Sequence, residues 1–193
     1  MSLKQLLGIE LPIIQAPMAG VQGSAMAVAV SNAGGLGSLP CAMLGLDALR
    51  QELSAIQAQT RQPYNVNFFC HTPPAADPAR DAAWRQALHP YYQALKLDPP
   101  GIASAAARAP FSSAAADILE EFRPPVISFH FGLPSNELMQ RAKNWGAKIL
   151  SSATTVDEAI WLEDHGVDAI IAQGLEAGGH RGMFLTDELT TQM

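Results

Sequence analysis

The residues best placed by type to do chemistry lie in one stretch, Gln173–Gly182, which reads QGLEAGGHRG. Gly174, Gly178, Gly179 and Gly182 free the backbone to take positive φ and to approach a ligand closely. Successive exposed N–H groups in such a loop form an anion nest, able to cradle a phosphate or the edge of a flavin. A plain tight turn would use the same glycines. His180, between Gly179 and Arg181, raises the value of the stretch. An imidazole there can act as a base or donate a hydrogen bond to an anion, or it can simply face solvent. Glu176 and Arg181 could equally form a surface pair of little worth.

Other candidates are polar residues within or just after apolar runs: Gln15, Asn67, His130 and Gln173, with Ser151-Ser152 beside them. A buried polar side chain must find partners or lose about 1–3 kcal/mol. Nearby backbone could supply them one at a time, and one bound ligand could supply several together. His71, His89 and His165 have weaker claims. His165 precedes Gly166 at a helix end, where a cation is favoured anyway. HExxH, CxxC, GxGxxG, the Walker A loop and GxSxG are all absent, so neither a metal site nor a hydrolase elbow is expected.

These side chains need elements to hold them. Six short runs read as buried strands: Pro12–Met18, Gly35–Pro40, Tyr64–Phe69, Val126–Gly132, Lys148–Ala153 and Ala169–Gly174. Most are nearly continuous in apolar residues, the pattern of parallel strands covered on both faces. Helical patterns at Ser24–Ala33, Asp47–Gln57, Asn136–Trp145 and Thr155–His165 alternate with them, several ending at glycine. The alternation predicts a parallel α/β fold, with the site at the carboxyl ends of the strands. Residues 72–125 break the rhythm as a helical excursion too rich in proline to be one helix. About six βα units are too few for a closed eight-stranded barrel, which typically takes ~250 residues. An open sheet and an incomplete barrel are both compatible with that number.

The chain of 193 residues carries a net charge of -6, which argues against a nucleic-acid binder working through a basic surface. With 48% hydrophobic residues it can bury a sizeable core. No apolar run reaches the ~18 residues of a membrane span, and no signal peptide is visible, so a cytoplasmic protein without membrane contact is expected. Cys41 and Cys70 lack zinc spacing and suit a reducing compartment.

Four stretches together carry a resemblance: LLGIELPIIQAPMAG at Leu6–Gly20, PYNVNFF at Pro63–Phe69, VISFHFG at Val126–Gly132 and AQGLEAGGHRG at Ala172–Gly182. SNAGGLGSLP at Ser31–Pro40 fits with them. The chain resembles the nitronate monooxygenases, formerly 2-nitropropane dioxygenases, and looks closest to their bacterial class I. The resemblance implies a TIM barrel of the (β/α)8 type, a non-covalent FMN, and oxidation of alkyl nitronates or nitroalkanes by O2 to a carbonyl compound and nitrite. It implies that Ala16, Pro17 and Met18 line the flavin and that Asn67, Gln173, Gly178 and Gly179 belong to the cofactor site. His180 matches the catalytic histidine and His130 a second pocket histidine. Members of that family continue through two more βα units, so 1–193 is expected to be a single, C-terminally incomplete FMN-binding domain. Unpaired edges on its first and sixth strands would favour pairing with a second copy. An FMN-dependent enoyl-ACP reductase, an NAD(P)H:quinone reductase and a non-catalytic fragment are the competing expectations.

Overall fold

The computed structural model describes residues 2–97 and 109–191. The chain divides into two compact units, Met1–His71 with Arg108–Met193, and Thr72–Ala107. The larger unit is a five-stranded, all-parallel sheet in the order β1-β2-β3-β4-β5. Its strands are β1 (Gly37–Pro40), β2 (Tyr64–Phe69), β3 (Val126–His130), β4 (Lys148–Ala153) and β5 (Ala169–Ala172). Strand order identical to chain order is that of a barrel; a doubly wound sheet reverses direction at a switch point. The sheet is therefore of the incomplete-barrel kind.

The helices are α1 (Leu3–Leu7), α2 (Ser24–Asn32), α3 (Leu46–Gln59), α4 (Pro78–Leu95), α5 (Ser113–Phe122), α6 (Asn136–Asn144) and α7 (Val156–Asp164). Ser112, Ser135 and Thr155 cap α5, α6 and α7, each side chain accepting a backbone N–H of the first turn. The predicted stops hold: Gly146 and Gly166 follow α6 and α7 with φ of +89° and +76°.

One expected strand is corrected. Pro12–Met18 makes only a single parallel bridge, Ile14 to Leu36. Gln15 N donates to Leu36 O and Leu36 N to Ile13 O, both at 2.9 Å, and the ladder then stops. The next donor along that edge would be position 17, and Pro17 has no N–H to extend it.

The sheet's two faces differ in chemistry. Side chains alternate along each strand, and the parallel registers bring like positions side by side. Leu39, Val66, Phe68, Ile127, Phe129 and Ile149 form one face and pack into the core with Leu49, Leu53 and Ile56 of α3 and Leu119 of α5. Complete burial of a side chain such as Phe129 is worth about 1.5–3 kcal/mol. The opposite, inner face carries Ser38, Asn65, Asn67, Phe69, Ser128, His130 and Ser152. A second apolar cluster, Leu7, Ile9, Leu36, Val126 and Leu150, plugs its lower end.

In the smaller unit, α4 is capped by Asp77, whose side chain accepts Arg80 N, and carries Pro90 within it. Among the described residues, the excursion read from the sequence holds two helices, α4 here and α5 in the larger unit. The first part of its Ala-rich run, 101–108, lies outside the described residues.

Candidate active site

The site is built where the inner face meets the strand ends. Its floor is a hydrogen-bonded set of amides and hydroxyls. Asn65 Nδ2 donates to Ser38 Oγ at 3.1 Å and to Ser128 Oγ at 2.9 Å. Asn67 Nδ2 donates to Ser128 Oγ at 2.9 Å and to Ser128 O at 3.2 Å. Gln15 Oε1 accepts from Ser38 N at 3.1 Å. Gln22 Nε2 donates to Ala16 O at 2.8 Å and reaches Ser38 O at 3.4 Å.

Among the described residues, three buried atoms of this floor have no partner: Gln15 Nε2, Gln22 Oε1 and Asn65 Oδ1. All belong to amides already bonded around Ser38. A buried group left in this way costs about 1–3 kcal/mol. One donor and two acceptors, all neutral, suit the mixed N–H and C=O edge of a flat heterocycle. Among the described residues no group of three His, Cys, Asp or Glu is arranged to hold a metal.

Above the floor stand rings. Phe69 lies 5.8 Å from His130 and 5.5 Å from His180, centroid to centroid. Phe131 is 4.5 Å from His130 and 6.0 Å from His180. His71 joins from the end of β2, with its ring 6.2 Å from Phe69 and 6.1 Å from Phe131.

The loop bearing His180 is fastened at its backbone. The His180 carbonyl accepts from His130 Nε2 at 3.0 Å and from Gln173 Nε2 at 2.9 Å. Gln173 Oε1 accepts from Gly182 N at 2.7 Å, so one amide pins both sides of Arg181. Arg181 Nη1 donates to Gly174 O at 2.8 Å. Gly182 is required by close approach: a Cβ there would stand 2.6 Å from His130 Cε1. Beyond it the buried Glu158 takes Phe184 N at 2.7 Å and Leu185 N at 3.3 Å on Oε1, and Thr154 N and Thr154 Oγ1 on Oε2, both at 2.7 Å.

These bonds decide protonation. A carbonyl only accepts, so His130 Nε2 carries the proton, and in the neutral ring Nδ1 accepts from Ser152 Oγ at 3.0 Å. Burial pushes the His130 pKa down, against the raising effect of the His180 carbonyl, and the His180 ring adds to the lowering. Burial would push Glu158 up, but its backbone and hydroxyl donors outweigh that and hold it below the usual carboxylate range. Burial pushes both thiols up, so Cys41 and Cys70 are not thiolates at neutral pH.

Of the residues expected from the sequence, Asn67, His130, Gln173 and His180 converge on this end of the sheet. Ala16, Pro17 and Met18 follow the Ile14 bridge on the β1 side, where Ala16 O is tied to Gln22. Gly178 and Gly179 are exposed in the loop leading to His180. The sequence reading did not single out Phe69, Phe131 or Glu158, while Ser152, named there beside Ser151, meets His130 Nδ1. Glu158 had a signal, Thr155-x-x-Glu158, the pattern of a capping box. The ring contacts of Phe131 had none.

A family model described as nitronate monooxygenase matches residues 1–193. The chain belongs to the nitronate monooxygenase family. It is 46% identical over 191 residues to a nitronate monooxygenase of Paraburkholderia phytofirmans, covering 96% of this chain and 51% of that one. The nitronate monooxygenase of Pseudomonas aeruginosa is 43% identical over 185 residues, covering 93% and 52%. A crystal structure of nitroalkane oxidase from Streptomyces ansochromogenes superposes with a TM-score of 0.81 at 36% identity, covering 97% of this chain and 52% of that one. The chain spans about half the length of these relatives.

Proposed function

We propose that this nitronate monooxygenase family chain carries the ring-facing floor and the substrate-facing histidine of an FMN-dependent enzyme. Its reaction is the oxidation of alkyl nitronates, or of nitroalkanes after deprotonation, by O2 to a carbonyl compound and nitrite. The observation that carries the reading is the His180 backbone, held by His130 and Gln173 at once, which places an imidazole beside Phe69 above a polar floor.

Asn67, Gln173 and the backbone of Ala16–Met18 and Gly178–Gly179 would hold FMN, and the unpartnered amide atoms of Gln15, Gln22 and Asn65 supply the donor and acceptors that such a ring edge needs. When bound, FMN supplies the electron acceptor for the substrate carbanion.

His180 is the catalytic residue in this reading. Its imidazole donates a hydrogen bond to the negative oxygens of a nitronate. With a neutral nitroalkane it must instead be unprotonated and remove the α-proton. His130 has both ring nitrogens engaged and acts through His180, as a positioning residue. No described helix is long and apolar enough to cross a membrane.

The test is the visible spectrum of the purified chain after mixing with FMN and gel filtration, followed by oxygen uptake with a preformed nitronate. Retained flavin bands and nitrite release are expected. Flavin bleaching by NADPH without a nitronate would transfer the chain to the reductase reading.

A further inference from the structure

His130 and Phe131 are consecutive, yet their rings lie on the same side of the sheet. In an extended strand neighbouring side chains point to opposite faces. His130 sits on the inner face, paired with Phe69, so position 131 should turn toward the helices. It does not, because Phe131 takes a φ of +66°. A bulky residue in that left-handed region is a genuine outlier. The turn throws the phenyl back over the inner face, where it meets His71, His130 and His180, as Phe69 also does.

The surroundings hold this conformation in place. Buried Ser151 directs its hydroxyl at the carbonyls of Phe129 and Gly132, at 3.3 and 2.9 Å, one on each side of the turn. The Phe184 ring lies close against Gly132, 3.2 Å from where a Cβ there would stand. Glycine at 131 would take the same backbone without steric cost, yet the strained position carries a phenyl ring. Strained residues that their surroundings over-determine cluster at ligand clamps.

We propose that Phe131 determines substrate specificity: its phenyl is the wall that limits the length of the alkyl group on a small planar anion whose charged end is held by His180. The inference rests on the proposed function and deepens it. Phe69 is 9% exposed and belongs to the sheet. Phe131 is only half-buried and keeps surface for a ligand. Imidazole and phenyl side by side match a molecule with an anionic end and a short apolar one.

Phe131→Gly removes the ring and relaxes the turn, so the fold is retained; Phe131→Leu keeps an apolar side chain of smaller reach. The experiment compares kcat/KM for ethyl through hexyl nitronates in the wild type and both variants. A pocket of this kind discriminates one methylene by about 10–200-fold. The hexyl-to-ethyl ratio is expected to rise at least about tenfold in Phe131→Gly and less in Phe131→Leu. A ratio unchanged within about twofold, with only the melting temperature altered, makes the ring structural and overturns the inference.

A second arm separates this failure from failure of the proposed function. Linear carboxylates of two to six carbons are titrated into the flavin-free chain while the imidazole proton resonances are followed. If no nitronate is turned over by any form, the function reading falls and this arm decides. Binding that weakens with length in the wild type and levels out in Phe131→Gly supports the wall. Identical profiles, or no binding by either protein, overturn it.

Discussion

Glu158 Oε1 accepts the backbone N–H of Phe184 at 2.7 Å, tying the first turn of α7 to the segment that leaves the His180 loop. The same carboxylate takes Leu185 N, Thr154 N and Thr154 Oγ1. It is a buried charge neutralised by donors rather than by a cation, and it holds the far end of the loop whose near end Gln173 and His130 hold.

Glu158→Ala leaves four donors without their acceptor, and is expected to destabilise the chain by about 3 kcal/mol or more. Denaturant unfolding measures this, and hydrogen exchange at Phe184 and Leu185 should accelerate together. Unchanged exchange at these amides would remove Glu158 from the loop's support. The carboxyl is held below its ordinary value in the fold, so its contribution is present above the unfolded value of about 4.3 and is lost as pH falls through the folded one. Glu158→Gln should flatten the stability profile in that acid range.

His130 titrates below an ordinary histidine, because burial disfavours its charged form. The unfolded chain then binds more protons than the folded one between the folded value and about 6.5, and stability falls as pH drops through that window. Ser152→Ala removes the hydroxyl that donates to Nδ1. The His130 midpoint should move up and stability drop by about 1 kcal/mol. A proton NMR titration reads the midpoint; a downward movement would contradict the tautomer assigned from the His180 carbonyl.

His180→Asn is expected to lower turnover of a neutral nitroalkane by a factor of ~10² or more, the scale of lost general-base catalysis. Preformed nitronate, already deprotonated, should lose much less. Equal losses on both substrates would take His180 out of the base role.

Asn67→Ala removes a donor that reaches both the carbonyl and the hydroxyl of Ser128. Flavin retention through gel filtration should weaken, with the absorbance ratio of flavin to protein as the readout. Full retention would place the cofactor contact elsewhere on the floor.

Much of this was legible in the residues themselves. Apolar runs such as Val126–Gly132 and glycine stops such as Gly166 specified a parallel α/β chain, because burial on both faces demands continuous apolar strands. The motifs around Asn67, His130 and His180 fall together at one end of the sheet. The Pro12–Met18 run misled, since its apolar character outweighed the missing N–H of Pro17 on the edge that faces β1.

What the sequence by itself determined is the class of fold and the identity of the groups able to do chemistry, because composition and periodicity record burial. The tertiary structure alone decided how those groups are used. It put Gln173 and His130 on one carbonyl, four donors on Glu158 and Phe131 back over the inner face. Such pairings join residues far apart in the chain, and a single left-handed φ at position 131 reverses the face that strand alternation assigns. Spacing along a sequence carries neither kind of information.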